Sequence, residues 1–430
     1  MFRITKIETA DRGKTTRYVY HTEGATGTYF NAKMPFCATY DTDINEVPES
    51  ILAIPLLANV LPISWFAGFD ILVPQLDRVY AEQMGKIKAL YQKYYPQLQS
   101  VDSNLIVGTL VDNQYKTDKN GLLFSGGVDA YTSFLRHRDP RLDLITIHGA
   151  DIDLEDQAQF ERLRGFNDAE ALLAPHRKLY VKANIRTFYT HKVDFLLPNL
   201  GWWGKIQYGM SLLALTAPYA FIHGYRSVYI ASTRSVHMEF LPWGSMPEVD
   251  DLVGWGNTYC KHDAFELSRH QKMEYIVQKF KESGEHAGLR VCYSEDNTAL
   301  NCSRCEKCLR TIFNIMILGD DPNSYGFEAD QGVYDRLKGK LNNGFQTSGI
   351  LNYWKELHQL AKDSEHVYSF TGTQTERQAF DELVLLIDQN CKAGVRTPSK
   401  WKKIKFRIIN NNKKLFSYYL RLRHKLRSQK

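Results

Sequence analysis

Short alternating runs of apolar and polar residues open the chain. Phe2–Thr9, Arg17–His21, Thr28–Asn31 and Cys37–Tyr40 each carry the two-residue period of a half-buried strand. From Ile51 to Phe69 the residues are apolar almost throughout, interrupted by Pro55, Asn59, Pro62 and Ser64 and stopped by Asp70. That stretch is too broken for a membrane-spanning helix and predicts buried strand and loop. An amphipathic helix is expected around Leu76–Tyr94. Residues 1–116 therefore read as an α+β domain of their own.

From Gly121 the pattern changes. Short strands at Leu122–Phe124, Leu144–His148, Tyr180–Phe188 and Ser227–Ala231 alternate with helices at Asp129–His137 and roughly Ile206–His223. This alternation predicts an α/β fold with a parallel, doubly wound sheet over residues 117–318. Ligands of such sheets sit beyond the C-terminal strand ends, where the strand order reverses. Residues 319–395 read as helical. Ile350, Leu351, Trp354, Leu357 and Leu360 form one apolar stripe, Thr375 and Gln378 have capping-box spacing, and Gly394 is a stop.

Composition changes this picture in three places. A chain of 430 residues exceeds one ordinary core, which suits two or three domains. The net charge of +6 is uneven: Arg396–Lys430 holds 13 Lys or Arg and no acid, leaving a net of −7 on the rest. In that tail Leu415, Tyr419, Leu422 and Leu426 share a helical face among the cations. It could meet an anionic membrane surface or nucleic acid, or be a solvated tail. The opening MFRITKIETADRGKTTRY lacks a signal-peptide core. A cytoplasmic protein is expected, peripheral at the membrane if the tail binds there.

The residues Ser125-Gly126-Gly127-Val128-Asp129 lie between an apolar strand and a helix. Two glycines remove the side chains that would block a sharp strand-to-helix turn. Backbone N–H groups and a helix N-terminus then surround one small volume, a cradle for phosphate. Ser125 adds a hydroxyl donor; Asp129 suits Mg²⁺ or a helix cap. No Gly-Lys-Ser/Thr follows, so this is not a Walker loop. The plainer alternative is a tight turn with an Asp N-cap.

Four of the seven cysteines crowd between Cys292 and Cys308. Cys302, Cys305 and Cys308 form C-x2-C-x2-C, and Cys292 closes a set of four soft ligands. Such a closed set leaves no position for catalytic water. Arg304, Lys307 and Arg310 would offset the charge of a four-thiolate centre. The spacing suits either zinc or an iron–sulfur cluster.

Residues 123–129, Leu-Phe-Ser-Gly-Gly-Val-Asp, resemble the SGGxD signature of the PP-loop ATP pyrophosphatases. Residues 291–294 and 302–310, with the preceding 269–277, resemble the cysteine segment of the 7-cyano-7-deazaguanine synthases within that family. The two motifs occur in the family's order, and the resemblance covers about Lys119–Leu318. It implies a HUP-type sheet, zinc as the metal, and ATP with Mg²⁺ as cofactors. It also implies cleavage of ATP to AMP and pyrophosphate, with transfer of AMP to a carboxylate or amide acceptor on the way to an amide or nitrile. The roles it implies are catalytic for Asp129 and Ser125, and nucleotide-binding for Ser125, Gly126, Gly127, Val128, Asp129, Ser133 and Lys205. Arg234, His237 and Trp255 would meet the acceptor, although each also reads as an ordinary loop or core residue.

The family's signature ends in Ser, but position 130 is Ala, so one phosphate-facing hydroxyl is missing unless Thr132 or Ser133 replaces it. The extra N-terminal and C-terminal regions have no counterpart in the small synthase and suit a relative with a larger acceptor, such as a protein terminus, a sugar acid or a modified base. A homodimer is also an expectation. Two other functions stay open: a nucleotide-binding scaffold impaired in catalysis, and a tRNA- or nucleobase-modifying enzyme, for which Cys260 is the spare cysteine.

Overall fold

The computed structural model describes residues 1–197, 201–292 and 299–396. Eleven strands among them form one sheet: β1 (Phe2–Ala10), β2 (Thr15–Thr22), β3 (Cys37–Tyr40), β4 (Ile71–Asp77), β5 (Leu105–Val111), β6 (Lys119–Leu123), β7 (Leu142–His148), β8 (Lys178–Ala183), β9 (Tyr225–Ala231), β10 (Gly254–Trp255) and β11 (Thr258–Asp263). Their order is β10-β11-β9-β6-β7-β8-β3-β2-β1-β4-β5.

The run β11-β9-β6-β7-β8 is parallel throughout. Antiparallel pairs join β10 to β11, β1 to β2, β2 to β3, and β3 to β8. The protein is thus α/β with a mixed, mostly parallel sheet. From β6 the chain moves to β7 and β8 on one side, then returns to β9 and β11 on the other. The order reverses beside β6, and the Ser125–Asp129 turn leaves its C-terminal end.

Both faces of this sheet are covered. On β7, Leu144 joins the core that holds the Val128–Arg136 helix, while its neighbour Ile145 joins the opposite core. Consecutive residues feeding opposite cores are what a doubly covered strand requires, and they explain its unbroken apolar run. The second core continues into the cysteine segment and the helices Val333–Leu341, Ser348–Asp363 and Gln374–Ala393. Residues 1–116, set apart in the sequence, hydrogen-bond into the same sheet through the β3–β8 pair and share the first core. The boundary along the chain is not a boundary in the sheet.

Several elements differ from the sequence expectation. Ile51–Phe69 is helical, with helices at Glu49–Leu52 and Ile54–Ala67. Every residue from Ser50 to Trp65 is buried, so no polar face exists to mark the 3.6-residue period. Pro55 sits in the first turn of its helix, where a missing N–H costs nothing, and Pro62 is accommodated inside it. Thr28–Asn31 is no strand; a 3-10 turn, Gly24–Tyr29, ends there. Leu76 belongs to β4, and the amphipathic helix starts at Arg78 with Asp77, the last residue of that strand, as its N-cap. The expected long helix breaks into a π-turn at Trp203–Gln207 and helices Tyr208–Ala214 and Ala217–His223. The last helix is capped by Thr373 rather than Thr375, and Gly394 stops it as expected.

No helix among the described residues is long and apolar enough to cross a membrane. The basic tail beyond Arg396 and residues 293–298 lie outside the described residues.

Candidate functional site

Beyond β6 the backbone turns at Gly126, whose φ of +75° an L side chain rarely adopts. Its carbonyl accepts from the Arg290 amide at 2.7 Å. The Gly127 amide points toward Ser125 Oγ at 3.4 Å, and Gly127 is the N-cap of helix Val128–Arg136. Asp129 therefore does not cap this helix. Val128 opens it with a side chain buried in the core.

The turn faces a cavity of about 410 Å³ whose lining includes Ser125, Gly127, Asp129, Arg290 and Lys307. Asp129 accepts from Arg269 Nη1 at 2.5 Å and from Lys272 Nζ at 3.3 Å. Burial by itself would raise the Asp129 carboxyl, but the Arg269 and Lys272 charges outweigh it and hold the group below its ordinary range. Arg269 and Lys272 lie one turn apart on the helix Arg269–Ser283, whose start is fixed by a capping box between Ser268 and Gln271. Lys272 also donates to the Ser232 carbonyl at the end of β9. Lys307 completes the basic rim, and burial pushes its ammonium down to about 8.

A second cavity, of about 720 Å³, adjoins the first. Asp129, Thr233 and Arg269 line both. Arg234 and His237 line this second lobe, away from the glycine turn, and Arg234 donates to the Glu239 carbonyl at 2.6 Å.

Three expected site residues stand elsewhere. Ser133 is fully buried and donates to Asp263 Oδ2 at 2.6 Å, because the helix turns it toward β11. Thr132, also buried, bonds back to the Val128 carbonyl, so neither hydroxyl replaces the one missing at Ala130. Lys205 lies in the π-turn and does not line the cavity at the glycine turn. Trp255 is fully buried in β10 as part of the first core, and so offers no exposed stacking face. Cys260 is likewise fully buried, and burial pushes its thiol well above the ordinary range.

The four cysteines do converge. The Sγ atoms of Cys292, Cys302, Cys305 and Cys308 lie within 4.8 Å of one another. Tetrahedral zinc with bonds of about 2.3 Å would set sulfur–sulfur separations of roughly 3.8 Å. The Cys302–Cys308 and Cys305–Cys308 separations are 3.9 Å and 3.4 Å. Backbone amides of Cys302, Cys305 and Cys308 point at Cys292, Cys302 and Cys305 sulfurs respectively, which orients the thiols inward. The cluster could bind a metal such as zinc. It also borders the glycine-turn cavity, since Cys292 and Lys307 both line that space.

Arg269, Lys272 and Arg290 were not singled out from sequence as ligands of the site. A capping box that starts a helix with two cations at i and i+3 was the available signal. The site thus defines an α/β protein with a basic cavity at the reversal of strand order, beside a cysteine cluster able to hold a metal. Comparison with protein-family models, curated proteins and solved structures finds no match to the chain.

Proposed function

We propose that the chain binds Mg–ATP against the Ser125–Asp129 turn and transfers AMP to a carboxylate or amide oxygen of an acceptor in the adjoining lobe. In this reading the sheet is of the HUP/PP-loop type, and the chemistry resembles that of 7-cyano-7-deazaguanine synthase. The observation that carries it is the glycine turn at the switch point, opening onto a cavity rimmed by Lys307, Arg290 and Arg269.

The acceptor oxygen attacks the α-phosphorus, and the bond to the bridging oxygen breaks with its electron pair leaving on pyrophosphate. The turn's amides and the Arg269 and Lys307 cations would stabilise that growing charge. No protein nucleophile is needed, so much of the rate comes from holding the two reactants in line. Mg²⁺ fits Asp129 and Asp151, the two carboxylates lining the cavity, and when bound it offsets charge on the leaving group. Nucleotide phosphates offer Arg269, which lines the cavity, a new partner, which loosens its hold on Asp129 in favour of the metal. Zinc in the four-cysteine cluster would be structural.

Release of AMP and pyrophosphate from ATP tests this, with Asp129→Ala expected to abolish it; release of ADP instead rejects the assignment. A nucleotide-binding scaffold without turnover has one observation in its favour, the buried Thr132 and Ser133 that leave Ala130 uncompensated. ATP binding without AMP formation across a broad acceptor panel is its signature. For the basic tail we propose contact with an anionic surface, membrane or nucleic acid. Removing residues 396–430 should then weaken liposome or RNA binding.

A further inference from the structure

The second lobe has two walls of different origin. One is the Thr233–Met238 loop after β9 together with the start of helix Arg269–Ser283. The other is the helix Ser348–Asp363, which presents Asn352, Tyr353, Lys355, Glu356 and Gln359 to the lobe. This wall comes from the C-terminal region, outside the segment that carries the glycine turn and the cysteines.

The charges of the lobe separate into spent and free. Asp129 is paired with Arg269 and Lys272. Glu356 accepts from the Ser268 hydroxyl. Arg234 gives its guanidinium to a backbone carbonyl rather than to a carboxylate. Lys355 lines the lobe and forms no ion pair among the described residues, and the exposed Glu274 lines it as well. Arg234 stands on the first wall and Lys355 on the second. A lobe of 720 Å³ is also within the range that holds a whole small ligand.

We infer that the helix Ser348–Asp363 selects the acceptor, and that the acceptor carries a second anionic group, carboxylate or phosphate, held by Lys355 away from the group that is activated. This rests on the adenylation reading, since the activated group is placed where the lobes meet at Asp129, Thr233 and Arg269. Lys355 is here a specificity residue on the acceptor and touches no reacting atom.

The test uses the full chain with its nucleotide cavity filled by Mg²⁺ and a non-hydrolysable ATP analogue, whose binding is measured first by calorimetry. Butyrate, glutarate and 4-phosphonobutyrate are then titrated as probes with one carboxylate, two carboxylates, and a carboxylate plus a phosphonate. The expected result is about tenfold tighter binding of one or both double anions than of butyrate, the scale of a single charge-assisted contact. Whichever of the two gains identifies carboxylate or phosphate as the distal group. Lys355→Ala should erase the advantage, Lys355→Arg should keep it, and neither should change analogue binding. Equal binding of all three probes, or an advantage that survives Lys355→Ala, overturns the inference while leaving the adenylation reading intact. Failure of the wild-type chain to bind the Mg–nucleotide analogue overturns both.

Discussion

Ala130 places a methyl group on the wall of the glycine-turn cavity, one residue past the carboxylate that both cavities share. The hydroxyls two and three residues further on, on Thr132 and Ser133, are turned into the protein, so in the adenylation reading position 130 is where a phosphate contact would be restored. Ala130→Ser is expected to tighten Mg–ATP binding by up to about tenfold, the worth of one added hydrogen bond, read by calorimetry. Gly126→Ala acts through the backbone instead. A Cβ there would meet Arg290 Cβ at an ordinary 3.5 Å, so space is no obstacle, but the left-handed φ would cost about 1–2 kcal/mol. The variant should fold with a lowered melting temperature and weakened nucleotide binding. At this scale the motif was legible in sequence, because two adjacent glycines after a strand have few uses. The burial of Ser133 and Trp255 was not, since a hydroxyl or an indole reads alike whether it faces a cavity or a core.

Elements show where periodicity carries information and where it fails. The helices Arg78–Tyr94 and Ser348–Asp363 have one wet face, so their stripes appear in the sequence. Ile54–Ala67 is wrapped by protein on all sides and lost that signature. The helix Gln374–Ala393 offers a test of its own start. Buried Glu376 accepts from the Ser369 hydroxyl and from the Phe370 and Thr371 amides. Burial favours its protonated form, but these donors prevail and hold the carboxyl at about 2, below the ordinary 4.5. A depressed carboxyl contributes stability that is complete above about 4.5 and disappears as the pH falls toward about 2. Thermal denaturation across that window should show the loss in the wild type, and Glu376→Gln should be less stable at neutral pH with a flatter acid limb.

Across the whole molecule the cysteine cluster and the cavity are one structure, because Cys292 and Lys307 line the same space as Ser125 and Gly127. Stripping metal with a strong chelator, or Cys305→Ser, should lower the melting temperature and weaken nucleotide binding together. Loss of metal with nucleotide affinity unchanged would separate the two. What the sequence determined by itself was local: a glycine turn after a strand, four thiols close enough along the chain to meet, and the strand–helix alternation of a parallel sheet. The tertiary structure alone decided which cations surround Asp129, since Arg269 and Lys272 lie 140 and 143 residues away along the chain. It also joined the N-terminal strands to the same sheet and set the C-terminal helix as the far wall of the second lobe. The reason is that local patterns record backbone preference and one-sided burial. Contacts between distant segments depend on how covered faces stack, which no short window of residues specifies.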